Sequence, residues 1–285
     1  MTTRREMSKA RNLKYIQDFV DGNQGTFTPS TLKLYASQLN TMADKFGFNQ
    51  RQSTILKYMK SIENVNTKSN KLNAIILLRK YYNFKHDMLR DIRESNFKAI
   101  ETHRKESLKN LDDQLPSYEE LISKLNNINN KWYLLNYMYI TYGLRNRDLN
   151  ARFMDELPED REKQNIVTFK DGVVSFHINV YKTAKKYHEK TLNVTDEKFI
   201  DIFKSLNLQN GDYLFAKPDK QPYTNMSFNV ITARHSIDKL GETKIMKILV
   251  KHHLNDNNFK KLNELQESRG SSLNTILKSY NLYNT

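Results

Sequence analysis

The chain has 285 residues, enough for two ordinary domains, and carries 46 Lys and Arg against 32 Asp and Glu, a formal net charge of +14. So large a cationic excess repels itself unless a polyanion neutralises it, which makes nucleic acid the first partner expected. There is no cysteine, so disulfides, thiolate metal sites and a cysteine nucleophile are excluded, and no run of about 18 apolar residues predicts a membrane span.

In chain order, Leu13, Ile16, Phe19 and Val20 have helical spacing and predict an amphipathic helix over residues 8–21. Thr28 followed by Pro29 is an N-cap with proline at the first helical position, and predicts a second helix to about residue 46 with Leu32, Leu34, Tyr35 and Leu39 inward. Two further helices are expected near 51–61 and 67–83. This stretch is strongly basic: residues 1–110 hold 21 Lys and Arg against 10 Asp and Glu, a net +11, leaving +3 for residues 111–285. Residues 86–113 mix charges with few apolar positions and read as an exposed helix and linker. The domains expected are therefore 1–85, a helical DNA clamp, 86–113, a helical linker, and 114–285.

The second domain opens on Ser117 and Glu120, which have the spacing of a capping box ahead of Leu121, Ile122 and Leu125. Residues 132–140 are apolar on nearly every side, which predicts a core helix. Gly143 ends it in a left-handed turn, so that Leu144 enters the core and Arg145 leaves in a fixed direction. Residues 166–169 and 173–180 flank Asp171-Gly172, a hairpin signal. A basic connection over 181–190 leads to a third strand at 191–194. Helices are expected at 196–206, 224–234, 242–253, 257–267 and 271–280, with a short extended piece at 213–215. The fold class is thus mainly α with a small antiparallel β-sheet. Glycine-rich phosphate loops and metal-ligand motifs are absent, so phosphate chemistry is expected to run on side chains, with no cofactor and no metal.

Gly143, Leu144, Arg145, Asp148 and Leu149 form a Gly-Leu-Arg-x-x-Asp-Leu pattern that resembles the first arginine box of the tyrosine recombinase and integrase family. The resemblance extends along the chain. The basic helical region ending near Lys85 resembles the family's core-binding domain. Lys182, in the loop after a strand, matches the hairpin lysine, with Lys185 and Lys186 as competitors. Residues 231–236 resemble the His-x-x-Arg-His box with Arg234 as the second arginine, and residues 264–280 resemble the terminal box that ends on the nucleophilic tyrosine, here Tyr280. Two positions depart from the pattern. Ile231 stands where the family has its first histidine, and Gly270 or Ser271 where it has a second histidine or tryptophan. Arg269, adjacent to the second slot, and His235, His252 and His253, nearby in sequence, are the candidates to supply the missing donors.

The resemblance implies a helical core-binding domain followed by an α+β catalytic domain. It implies a site-specific recombinase or integrase that acts on double-stranded DNA, inside the cell where DNA lies, through a 3′-phosphotyrosyl intermediate and as a homotetramer on DNA. Its implied roles are Arg145 and Arg234 on the phosphate, Lys182 as general acid and Tyr280 as nucleophile. Tyr283 competes for that last role, but Leu273, Ile276 and Leu277 pack the helix ahead of Tyr280. Heavy use of Asn, Lys and Ile points to an AT-rich source such as a virus or mobile element. The alternatives are a non-cleaving DNA-binding protein on the same fold and a type IB topoisomerase-like relaxase.

Overall fold

A computed structural model of the protein describes residues 4–112, 114–181, 183–184 and 188–280. The chain divides into two units, Met1–Ser107 and Leu108–Thr285.

The first unit is built from α1 (Arg4–Gly22), α2 (Pro29–Asn40), α3 (Gln52–Lys60), α4 (Val65–Tyr81) and most of α5 (Asp87–Asp112). Its core gathers Ile16, Phe19, Leu39, Met42, Phe48, Ile55, Met59, Leu72 and Ile75, each large side chain contributing about 1.5–3 kcal/mol by leaving water. Thr28 caps α2 by accepting from Thr31 N. The helix ends at Asn40, short of the expected residue 46, because residues 41–46 turn inward around a buried asparagine. Asn12 Nδ2 donates to Ala43 O (2.8 Å) and Phe46 O (2.7 Å), and its Oδ1 accepts from Phe48 N (3.0 Å). Arg79, 3% exposed, plays a similar part. It donates to Lys85 O (2.7 Å), Gln50 O (3.0 Å) and Phe48 O, and burial lowers its pKa. Buried polar groups of this kind hold only because their donors are satisfied. Residues 87–112, expected as an exposed helix and linker, form one helix whose first half is fastened down: Leu89 is buried and Asn96 Nδ2 donates to Val65 O (2.9 Å).

In the second unit, α6 (Tyr118–Asn126) begins with the expected capping box, Ser117 N donating to Glu120 Oε2 (2.9 Å) and Glu120 N to Ser117 Oγ (3.1 Å). The core helix α7 (Trp132–Tyr142) follows, with Tyr133, Leu134, Leu135, Met138, Tyr139 and Ile140 buried. Gly143 ends it at φ 61°, and a Cβ there would stand 2.9 Å from Met246 Sδ and 3.1 Å from Leu265 Cδ2. Close packing and a left-handed backbone therefore both call for glycine. A 3₁₀ turn (Asn146–Leu149) leads into the sheet.

The sheet has the strands β1 (Ala151–Phe153), β2 (Asn165–Lys170), β3 (Val173–Ile178) and β4 (Lys190–Val194) in the order β1-β2-β3-β4. Three antiparallel strands were the expectation. The structure adds β1, which pairs parallel with β2, so the sheet is mixed. The hairpin turns at Asp171 (φ 51°) and Gly172 (φ 78°), the two positive-φ positions of a tight hairpin. Beyond the sheet come α8 (Glu197–Ser205), α9 (Asn225–His235), α10 (Gly241–Asn255), α11 (Phe259–Arg269) and α12 (Leu273–Tyr280). The fold class is mainly α with this small sheet. Among the described residues no helix is long and apolar enough to cross a membrane.

Candidate active site

Arg145 leaves the turn after α7 half-buried, and the same turn fixes it. Its backbone N–H donates to Asp148 Oδ2 (3.0 Å). Its guanidinium reaches the junction between α11 and α12, where Nη1 donates to Arg269 O (2.6 Å) and Nη2 to Ser271 Oγ (2.9 Å). Burial lowers the Arg145 pKa, as does the neighbouring Arg269 charge. Asp148 is itself buried, its Oδ1 has no hydrogen-bond partner among the described residues, and burial raises its pKa against the pull of Arg145, Lys190 and Arg269.

Arg269 ends α11 and is 1% exposed. Nη1 donates to Gly143 O (2.5 Å) and more weakly to Leu144 O (3.4 Å), while Nη2 lies 3.3 Å from Glu242 Oε1 and 2.7 Å from Tyr280 Oη. The guanidinium carbon stands 4.9 Å from the centre of the Tyr280 ring, within cation–π range. The other Glu242 oxygen accepts from Asn146 N. One buried cation thus ties together the turn carrying Arg145, the first turn of α10 and the end of α12. A guanidinium suits this task because it stays charged and presents a rigid planar fork.

The junction Ser268–Ser271 is gripped from the sheet side as well. Lys190 Nζ donates to Ser268 O (3.2 Å) and sits 3.7 Å above the Tyr181 ring, and Thr183 Oγ1 donates to Gly270 O (2.5 Å). Burial lowers the Lys190 pKa to about 8, with Asp148 opposing the fall and Arg145 and Arg269 adding to it. Gly270 is the hinge, at φ 59°. A Cβ there would land on Lys190 Nζ and 2.6 Å from Tyr181 Cε2. Gly270→Ala is therefore expected to lose more than the roughly 1–2 kcal/mol of left-handed strain alone, read as a lowered thermal midpoint.

Of the residues singled out in the sequence, the structure brings Arg145, Arg269 and Tyr280 into one cluster. Lys182, Lys185, Lys186 and Tyr283 lie outside the described residues. Arg234 is exposed on the last turn of α9, and no hydrogen bond or ion pair among the described residues joins it to the cluster. His235 stacks on Trp132 with ring centres 3.9 Å apart, and its backbone oxygen accepts from Asn136 Nδ2 (3.1 Å). Burial, with Arg234 and Lys131, lowers its pKa. Sequence reading missed Lys190 and Glu242. For Lys190 a signal exists, because Lys190, Leu192 and Val194 share one face of β4 and Val194 is buried. Nothing local marks Glu242 beyond its place in the first turn of a helix.

No protein-family model matches the chain, and no curated protein matches it. Among solved structures it is similar to a XerA recombinase, at 13% identity over 96% of this chain and 94% of that one, with a TM-score of 0.39.

Proposed function

We propose that the chain is a DNA strand transferase of the tyrosine-recombinase type, in which Tyr280 is the nucleophile, Arg145 holds the scissile phosphate and the buried Arg269 positions the phenol beside it. The observation that carries this reading is the 2.7 Å contact of Arg269 Nη2 with Tyr280 Oη, beside the Arg145 fork. Clamping a duplex calls for exposed cations along its backbone. It gives no reason to bury an arginine against a phenol.

In this reading Tyr280 Oη attacks a DNA phosphorus, its proton passes to water, and the bond to the 5′ oxygen breaks to leave a 3′-phosphotyrosyl ester. Negative charge grows on the non-bridging oxygens, where preset guanidiniums contribute most. Arg145 spends its fork on a carbonyl and a hydroxyl in the free protein. A phosphate offers that fork two anionic oxygens in matching geometry, where the carbonyl and hydroxyl are neutral acceptors, so exchange onto DNA is favourable. A 5′ hydroxyl from a partner strand then reverses the step, and the ester conserves the bond energy. Two duplexes held by a homotetramer would give site-specific recombination or integration.

One observation favours a second reading, a DNA binder that does not cleave. Glu242 sets a carboxylate between Arg269 and the backbone of Asn146, where a phosphate would have to displace it. Trapping with a suicide DNA substrate decides between the two. The expected result is a covalent adduct whose DNA-linked peptide carries the label at Tyr280. Absence of any adduct across nicked and mixed-sequence substrates would favour the binder.

A further inference from the structure

Resting on that reading of the site, we propose that Lys190 is the general acid that protonates the leaving 5′ oxygen, in place of the loop lysines to which the sequence pattern assigns the role. Lys190 is the first residue of β4 and enters the cluster from the side of the sheet. One of its three N–H groups is spent on Ser268 O (3.2 Å). The ammonium is held over the Tyr181 ring at 3.7 Å and against the Gly270 hinge, where glycine leaves it room.

Its place relative to the nucleophile fits the chemistry. Arg145 donates to Arg269 O and Ser271 Oγ while Lys190 donates to Ser268 O, so fork and ammonium meet on one junction, whose Arg269 side chain touches Tyr280 Oη at 2.7 Å. The phenol meets the Arg269 side chain, and the ammonium meets the main chain of the same junction from the side of the sheet. In-line displacement puts nucleophile and leaving oxygen on opposite sides of phosphorus, so the assignment requires a phosphate on the Arg145 fork to turn its 5′ oxygen toward the sheet. Burial then tunes the group: with a pKa of about 8, the ammonium is mostly charged at neutral pH yet gives up its proton far more readily than an ordinary lysine.

The step balances. The Tyr280 oxygen–phosphorus bond forms and the phosphorus–O5′ bond breaks. The proton moves from Lys190 Nζ to O5′, leaving a neutral amine, while the phenol proton of Tyr280 passes to water. On rejoining, the amine accepts the proton of the attacking 5′ hydroxyl.

A DNA carrying sulfur at the bridging 5′ position tests this, because a thiolate leaves without protonation. Lys190→Ala is expected to cleave ordinary DNA on the order of 100-fold more slowly than the unaltered protein, and the sulfur substrate within about threefold of it, a selective rescue that general acid catalysis predicts and a packing role does not. Lys182→Ala should slow neither selectively. On the unaltered protein, the ratio of sulfur to ordinary cleavage rates should climb above about pH 8 as Lys190 loses its proton, a measurement independent of how any variant folds. Equal slowing of Lys190→Ala on both substrates, a ratio flat in pH, or selective rescue of Lys182→Ala would each overturn the assignment while leaving the strand-transfer reading intact. Failure of the unaltered protein to form an adduct with either substrate would overturn both.

Discussion

Replacing Arg145 with lysine is expected to slow DNA cleavage by a factor on the order of 100 to 1,000 while duplex binding changes only a few fold. The Arg145 fork spans two acceptors, Arg269 O and Ser271 Oγ, and the same spread suits two oxygens of a phosphate. An ammonium is a point donor and cannot span them. Its charge survives, so attraction for the duplex survives too. Arg269→Lys should slow cleavage comparably, and it also abandons the carbonyls of Gly143 and Leu144. Its thermal midpoint should therefore fall, since an unpaired buried group costs about 1–3 kcal/mol. Arg234→Lys is the control. Arg234 is exposed and unbonded to the cluster, so its replacement should leave cleavage unchanged. Single-turnover cleavage rates alongside binding isotherms separate these cases. If Arg234→Lys lost cleavage and Arg269→Lys kept it, the second phosphate contact would belong to Arg234.

The contrast between the two arginines shows what a chain read residue by residue can and cannot yield. Local physics writes itself locally. The capping box at Ser117, the Asp171-Gly172 hairpin and the left-handed stop at Gly143 each depend on residues a few positions apart, and each stands where its spacing puts it. Arg145 belongs to the same class, because one short turn aims it. The partner of Arg145 does not. Arg269 reaches the Gly143 and Leu144 carbonyls across 126 and 125 positions of sequence, and only the packing of α11 beside α7 makes that contact. A box read from adjacent letters offered Arg234 as the second arginine, and Arg269 only as a donor beside a slot missing its histidine or tryptophan. Strand β1 escaped for a similar reason: three residues have no periodicity to display, and their parallel register, Ala151 opposite Asn165, is made with a strand further along the chain. Lys190 lay within reach, since β4 alternates and its inward positions include it, but lysines in the preceding loop matched the pattern better.

Replacing Tyr280 with phenylalanine should abolish the covalent DNA adduct outright while leaving the fold and the DNA affinity in place. A phenyl ring has no oxygen to offer phosphorus, so no partial activity is expected through this residue. The structural cost is local. The ring keeps its place 4.9 Å from the Arg269 guanidinium, Arg269 Nη2 keeps Glu242 at 3.3 Å, and the one bond lost, between a hydroxyl and a charged group, is worth about 1.5–3 kcal/mol. Binding should be indifferent, because the charge that draws a duplex is spread widely, a net +11 over residues 1–110 alone. Such binding weakens steeply with salt as counterions are released. Six or more neutralised phosphates would cost on the order of 1,000-fold in affinity between about 50 and 200 mM salt. The Tyr280→Phe protein should show the same slope as the unaltered one. A parallel slope with no adduct isolates the phenol oxygen as the nucleophile. An adduct that persisted in Tyr280→Phe would move the nucleophile to another tyrosine, Tyr283 first, and would recast the Arg269 contact as an anchor for α12, a structural tie with no part in bond cleavage.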